Sequence, residues 1–556
     1  MTLLAHRGDW HHRPRRFSSL GFSYCGVVLS GAKGAYLIYE GRIPYLGETT
    51  MSTTGEQRSE EKHAKKVIVN DLRSALELLA QHENELISTD EPVDPVAELS
   101  GVYRYVGARG TCMRPTKLGP AMLFNNVKGY PDVRVLIGLL CSRKRVGLLL
   151  GTEPAKLGFL LKDSVATPIA PIIIPQSEAV CQEVVHLATD PDFDIRTLLP
   201  APTNTEEDAG PYFTMGMIYA SDPETGESDV TIHRICVQGA DKLSIYFVLG
   251  RHIDAFRKKA EAAGKALSIS ISIGVDPAIE IGSCFEPPTT PIGFDELTVA
   301  GSLRKRPVEL VSCISIKNAR AIANAEVVIE GEILPNVRVR EDQNSNTGKA
   351  MPEFPGYTGD AKPDLPVMKV TAVTHRRKPI LQTVIGSSEE HVNMAGLPTE
   401  ASILTMVERA MPGFVQNVFA HTSGGGKYLA VMQVKKTNPS HEGMQRQAAL
   451  LAFSAFSELK HVILVDEDVD LFDTDDVLWA MQTRYQGDVS TIFIPGVRCH
   501  PLDPSSTPEF SPSIRSVGIA CKTIFDCTVP YALKKQFVRC KFKEVDVKRF
   551  IPGFVQ

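Results

Sequence analysis

The stretch Ser228–Arg234, SDVTIHR, brings an aspartate, a histidine and an arginine into one short β-type run. In a strand alternate residues share a face, so Asp229, Thr231 and His233 fall on one side and Val230, Ile232 and Arg234 on the other. Asp229 has the chemistry to ligate a hard cation, and Arg234 to grip a carboxylate through paired hydrogen bonds. Read alone, the same run is also an edge strand with a solvated polar face. A second stretch, GRHIDAF, sets Arg251 and His252 where a strand gives way to a helix. Helix N-termini favour anions, so a basic residue there suits a phosphate. His252 is either a metal ligand or a histidine with an ordinary hydrogen bond. In PIGFDELTVAGSLR, Asp295 and Glu296 open an apolar helical run. Helix capping fits both, and metal ligation is the sharper role for Glu296.

The turn-rich GKAMPEFPGYTGD carries Lys349, Glu353, Tyr357 and Asp360. A loop of this kind is either plain surface or the holder of an acid in a half-apolar pocket, where a raised pKa lets it donate a proton. HTSGGGKYLAVMQVKK has three consecutive glycines that resemble a phosphate cradle. The spacing is not that of a P-loop, and a strand follows instead of a helix. Lys427, Lys435 and Lys436 remain candidates to meet a phosphate. VDEDVD, Val465–Asp470, ends a strand with acidic residues, which suits either a Mg²⁺ site or a capping, solvated cluster.

The elements that must position these residues alternate in type. NDLRSALELLAQ places Leu72, Ala75, Leu76 and Leu79 at helical spacing with Asp71 able to cap. PAMLFNNV and VRVLIGLL read as strands and PAKLGFLLKDSV as a helix, which is α/β alternation. ATDPDFDIRTLLPAPTNTEEDAGPYF is a linker or a long ordered loop. From Tyr212 to about Val373 short strands dominate, with HIDAFRKKAEAAGK as a helix, which suggests a barrel-like β domain. Helices (PTEASILTMVERAM, MQRQAALLAFSAFSEL, and DDVLWAMQTRY capped by Asp475 or Asp476) and strands then alternate again. The expected fold is therefore a multi-domain mixture of α/β and β. It has an extension or disordered tail over 1–66, an N-terminal α/β domain over 67–190, a central β domain over 191–373 and a C-terminal α/β domain over 374–556.

The chain has 556 residues, 43% of them hydrophobic and 22% charged, with a formal net charge of -5. That composition is ordinary for a globular protein and gives no broad basic surface, so nucleic acid is not an expected partner. No apolar run is long enough to span a membrane, and the 11 scattered cysteines form no disulfide framework, so reduced thiols in the cytoplasm are expected. The basic start, rich in Arg and His before a Gly-rich apolar stretch, fits either a transit peptide or an over-extended start ahead of Met51.

In this order the stretches resemble the UbiD family of prenyl-flavin decarboxylases. GPAMLFNNVKGYP, DVTIHR, DELTVAGSLR, AEVVIEGEI, VMQVKK and VDEDVDLFDTDDVLWAMQTR carry the resemblance, which runs from about Asp71 to about Pro530. DPDFDIRTLLPAPTNT, EFPGYTG, HTSGGGK and CKTIFDCTVP make the chain similar to the branch that decarboxylates protocatechuate or gallate.

The resemblance implies a central split β-barrel that binds prenylated FMN, and an oligomerising C-terminal tail. Asp229 stands where the family usually has an asparagine metal ligand, and His252 and Glu296 match the other two. Together they would hold Mn²⁺ (or Mg²⁺) against the flavin phosphate, with K⁺ as an accompanying ion. Ile232, His233, Arg234, Arg251 and His252 would line the flavin, and Lys435 or Lys436 would contact its phosphate. Arg234 would also orient the substrate carboxylate. The family commonly has two carboxylates five apart in its acid loop. Here Glu353 is one counterpart, Asp360 is seven further on, and Lys349 would relay the missing proton.

The implied reaction is the reversible, non-oxidative decarboxylation of a hydroxylated aromatic acid through a covalent prenylated-FMN adduct. Its partners would be the acid, carbon dioxide, a flavin prenyltransferase as cofactor supplier, and further copies of the chain in a homodimer or larger assembly. The alternatives are a heteroaromatic acid (pyrrole, furan or indole carboxylate), a non-catalytic flavin-binding protein, or a Mg²⁺-dependent phosphoryl-transfer enzyme, against which the missing P-loop counts.

Overall fold

Leu72, Ala75, Leu76 and Leu79 bury along one side of the Leu72–Leu79 helix, and Asp71 and Ser74 cap its first turn reciprocally. This helix opens the computed structural model of the chain, which describes residues 67–108, 110, 119–248 and 250–554. The expectations for residues 1–66 lie outside the described residues.

The fold is a mixed α/β architecture. A four-stranded sheet runs Leu86–Thr89, Ala121–Phe124, Arg134–Ile137, Ile380–Thr383. Its last strand comes from far along the chain and pairs in parallel with Arg134–Ile137.

The largest sheet has nine strands. Its order is Tyr212–Phe213, Ile235–Gly239, Lys242–Ile245, Leu365–His375, Val327–Val339, Leu267–Ile273, Met217–Ser221, Ser228–Ile232, with Val184–Leu187 paired to Leu365–His375. Leu267–Ile273 pairs antiparallel with Val327–Ile333 in continuous register. Ile269, Ile271 and Ile273 fill the core on one face. Ser270 and Ser272 are also fully buried, and both hydroxyls are satisfied by the backbone of the Arg320–Ile322 strand, so this strand is covered on both sides. The ladder to Leu365–His375 shifts at Gly331, where any side chain would collide with the Lys369 carbonyl. The His252–Ala262 helix packs across this sheet, with Ile253 and Phe256 in the core and His252 beside the last strand.

A five-stranded sheet runs Val415–Ala420, Leu429–Val434, His461–Asp466, Ile519–Asp526, Thr491–Arg498, its three middle strands parallel. The Met444–Ala455 helix is the crossover between two of them. Two helix boundaries differ from expectation. The helix expected over PTEASILTMVERAM starts instead at Glu389, capped by Ser388, and carries Pro398 in its interior. Proline reads as a helix start, its usual place, whereas here a long buried helix runs through it. The Thr474–Arg484 helix is capped by Asp473, whose side chain accepts from the Asp475 amide, and not by Asp475 or Asp476, which lie in its first turn. Among the described residues no helix is long and apolar enough to cross a membrane, and nine cysteines are free.

Candidate active site

The Ser228–Ile232 strand ends the nine-stranded order, yet its polar residues are covered. Asp229 is 3% exposed, beneath His252 at the start of one helix and Glu296 just before another. Val230 is buried as well, and the strand stops at Ile232, so the expected strict alternation of faces does not extend to His233 and Arg234. The ligating atoms of Asp229, His252 and Glu296 all lie within 4.8 Å of one another. His252 Nδ1 is 2.9 Å from Asp229 Oδ1, while His252 Nε2 and Glu296 Oε2 are buried without a partner.

Capping at this helix falls to Asp295, which accepts from the Leu297 amide and the Tyr219 hydroxyl, and Glu296 makes no capping bond. Burial pushes the Glu296 carboxyl well above its usual pKa, and the nearby Asp229 carboxylate adds to this. Orphaned polar atoms in a dry site are costly, and a divalent cation satisfies two carboxylates and an imidazole at once. The residues present therefore fit a metal.

Thr231 and Arg251 line both this hollow and a larger neighbouring cleft. Ile232, His233, Arg234 and Glu353 line the cleft too, so most of the residues expected at the cofactor and substrate converge. Arg234 is held as a fork. Its Nε and Nη2 donate to the two oxygens of Glu341, at 2.9 and 2.8 Å, and its Nη1 donates to Glu353. The guanidinium stacks 4.3 Å from the Tyr246 ring centroid. Burial works against the Arg234 charge, but Glu353 and Glu341 outweigh it and hold its pKa above the ordinary value. Burial raises the Glu353 pKa, with Arg234 opposing. Gly359 leaves room beside Glu353, where a Cβ would lie 3.1 Å from its Cγ.

Lys349, Lys435 and Lys436, the lysines that the resemblance implied, lie off the cleft lining. Lys349 is half-exposed on the Lys349–Pro352 strand and donates to the exposed Asp360 at 3.0 Å, away from the cleft lining. Lys435 is exposed, and Lys436 is buried with its Nζ 3.2 Å from Glu442. The lysine that reaches the cleft is Lys427, whose ammonium donates to Glu286 and Glu458, at 3.0 Å each. Glu286 also accepts from Arg251.

Two cleft histidines, His391 and His500, were not singled out from the sequence, nor were Glu286, Glu341 and Glu458. Burial depresses His391 to about 3, with Lys427 and His500 contributing, and its Nδ1 has no partner. Burial also lowers His500 to about 4, against the pull of Glu458. Both are neutral near pH 7.

The triple glycine lets neighbouring elements pack closely. At Gly425, in the left-handed region at φ +63, a Cβ would collide with the Phe354 ring, and Gly426 abuts Val392 and Gly396 of the Glu389–Ala410 helix. The acidic VDEDVD cluster is paired internally. Arg484 binds Asp466 and Asp468, and Asp466 also accepts from the Val529 amide. Among the described residues, the one group of metal-type ligands is Asp229, His252 and Glu296.

The 3-octaprenyl-4-hydroxybenzoate carboxy-lyase family matches through its N-terminal domain over residues 77–163, its Rift-related domain over 173–389 and its C-terminal domain over 392–527. The chain is 55% identical over 477 residues to the gallate decarboxylase of Lactiplantibacillus plantarum, covering 85% of this chain and 97% of that protein. Its fold matches apo 3,4-dihydroxybenzoic acid decarboxylase (AroY) of Klebsiella pneumoniae with a TM-score of 0.83 and 62% identity, over 88% of this chain and 100% of that one. The UbiD-class enzyme HmfF of Pelotomaculum thermopropionicum, solved with FMN, matches with a TM-score of 0.76 and 33% identity, over 86% of this chain and 100% of that one. By all three domain matches and these close relatives, the chain belongs to the UbiD family of carboxy-lyases.

Proposed function

We propose that this chain releases carbon dioxide from a hydroxylated aromatic acid such as gallate or protocatechuate, using prenylated FMN and a divalent metal, Mn²⁺ or Mg²⁺, with K⁺ as an accompanying ion. The observation that carries this reading is Arg234, forked between Glu341 and Glu353 on the wall of a cleft that adjoins the Asp229–His252–Glu296 trio. The relatives' substrates point the same way. Asp229, His252 and Glu296 would hold the metal, and Ile232, His233, Arg234 and Arg251 would line the flavin. The flavin, when bound, supplies an electron sink for the pair left on an aryl carbon, which water cannot stabilise.

The protein's own residues do the rest. Glu341 fixes two nitrogens of Arg234, so the third nitrogen faces Glu353 and has a second N–H left for the substrate carboxylate. That fixed geometry removes the entropic cost of aligning the breaking C–C bond. As the bond breaks, carbon dioxide leaves and its electron pair stays with the ring. The proton that replaces the carboxylate comes from Glu353, the carboxyl that lines the cleft beside Arg234 and whose pKa burial raises. The Lys427 ammonium, in the same cleft, suits a ring hydroxyl or its phenolate, and the neutral His391 suits that hydroxyl's proton. Arg234→Ala and Glu353→Gln should each abolish turnover and keep bound flavin; normal turnover in both would overturn this assignment.

The remaining parts of the reading follow the family. The nine-stranded sheet, which Val184–Leu187 joins from just before it, is proposed as the split β-barrel of a central domain over 191–373, flanked by domains over 67–190 and 374–556 and preceded by an extension. A flavin prenyltransferase would supply the cofactor in the cytoplasm. The C-terminal tail, with Val538, Phe542 and Phe550 largely exposed, would meet a second copy of the chain.

A further inference from the structure

Glu458 does not line the cleft, yet two cleft groups converge on it. It sits on the turn between the Met444–Ala455 helix and the His461–Asp466 strand, and it is 3% exposed. One oxygen, Oε2, lies 3.0 Å from Lys427 Nζ and 3.4 Å from His500 Nε2. His500 Nδ1 accepts from the Leu502 amide at 3.1 Å, so it carries no proton, and the ring's N–H is at Nε2, facing Glu458. The turn is fixed from behind. Buried Lys522 donates to the carbonyls of Ser457 and Leu459 on either side of Glu458, and Phe456 lies beneath the Lys427 ammonium at 5.1 Å. The result is an alternating chain, Arg251, Glu286, Lys427, Glu458, His500, in which the two anions balance the two cations and His500 is neutral.

We propose that Glu458 is a positioning residue for the reaction, holding the Lys427 ammonium and the Nε2–H tautomer of His500 in place at the cleft wall. This rests on the decarboxylase reading for its consequence in turnover, but its geometry is independent of that reading. Without Glu458, Lys427 keeps only Glu286, which Arg251 already shares. A glutamine there cannot neutralise Lys427, and its amide N–H groups would compete with the His500 N–H for the same space. The other groups that act on Lys427 are Arg251, His391, His500 and Cys284, and none is anionic while its thiol or imidazole stays neutral. Burial works against the Lys427 charge, and Glu286 and Glu458 outweigh it.

The test is competitive acetylation of Lys427 by acetic anhydride across pH, read by peptide mass spectrometry on the holoenzyme, with kinetics on the same proteins. In Glu458→Gln the Lys427 titration midpoint should fall by at least about one pH unit, and kcat by about tenfold with KM within about threefold. Glu458→Asp, which keeps the charge but is one methylene shorter, should leave the midpoint in place and lower kcat less. An unchanged midpoint in Glu458→Gln would overturn the proposal. If that variant does not fold, Glu458→Asp decides, and an unaltered kcat there would overturn the positioning role. Failure of the decarboxylase reading would show instead as no carbon dioxide from wild type, with the acetylation result still deciding the role of Glu458.

Discussion

Arg234 and Glu353 form an ion pair in which each partner decides what the other can do. Burial lifts the Glu353 pKa, and Arg234 limits the lift. A proton donor must be protonated when the ring carbon takes its proton, so activity should be lost as pH rises through this raised value. A profile of kcat against pH in the holoenzyme should therefore fall on its alkaline side; a kcat that climbs steadily with pH would remove Glu353 from the role. The trio predicts a different phenotype. Because a metal there would join protein to cofactor, His252→Ala or Glu296→Ala should lose flavin on purification, and a chelator should do the same to wild type. Full flavin content after either treatment would contradict the assignment.

Much of this was legible at residue level because DVTIHR, RHIDAF and DELTVAGSLR each concentrate unusual chemistry in a few positions. Glu341 was not, because it sits in a charged turn, EDQNSNTG, that reads as solvated surface, and only folding brings it beneath Arg234. The choice among Lys427, Lys435 and Lys436 depended on which side of one strand's ends faces the cleft, which spacing alone does not set.

At the scale of elements, the loop that carries Glu353 between the paired strands Lys349–Pro352 and Thr358–Asp360 and the glycine turn are one device. Phe354, next to Glu353, packs on Gly425 and on the rings of His391, Tyr428 and His500. Gly425→Ala would push Phe354 away and strain a left-handed backbone, a loss of about 2–4 kcal/mol. It should lower both the Tm and kcat/KM, because the displaced ring carries Glu353 with it. A Tm and kcat/KM equal to wild type would mean that the ring does not fix the acid.

Periodicity revealed the elements whose apolar spacing is unambiguous, such as Leu72–Leu79 and Leu267–Ile273. It found the second half of Glu389–Ala410 and missed the first, where Pro398 and buried polar residues mask the helix start. Those polar residues are held by distant partners, as Glu400 is by Arg143 at 2.8 Å, and such long-range pairing leaves no local mark in sequence.

For the whole molecule, residue patterning conveys the succession of α/β, β and α/β regions. It does not convey the way Ile380–Thr383 returns to pair with Arg134–Ile137, because strand partnership at such separation is set by the assembled core. The tail makes a prediction at this scale. Phe542 is 87% exposed, so Phe542→Ser should shift sedimentation toward a smaller species if the tail joins copies of the chain. An unchanged sedimentation coefficient would place the interface elsewhere. The most direct test of the account is carbon dioxide release from gallate, protocatechuate, 4-hydroxybenzoate and heteroaryl acids, using protein made with and without a prenylated-flavin supply. The account predicts release only with the prenylated cofactor, fastest from gallate or protocatechuate. No release from any of these acids by cofactor-loaded protein would contradict it.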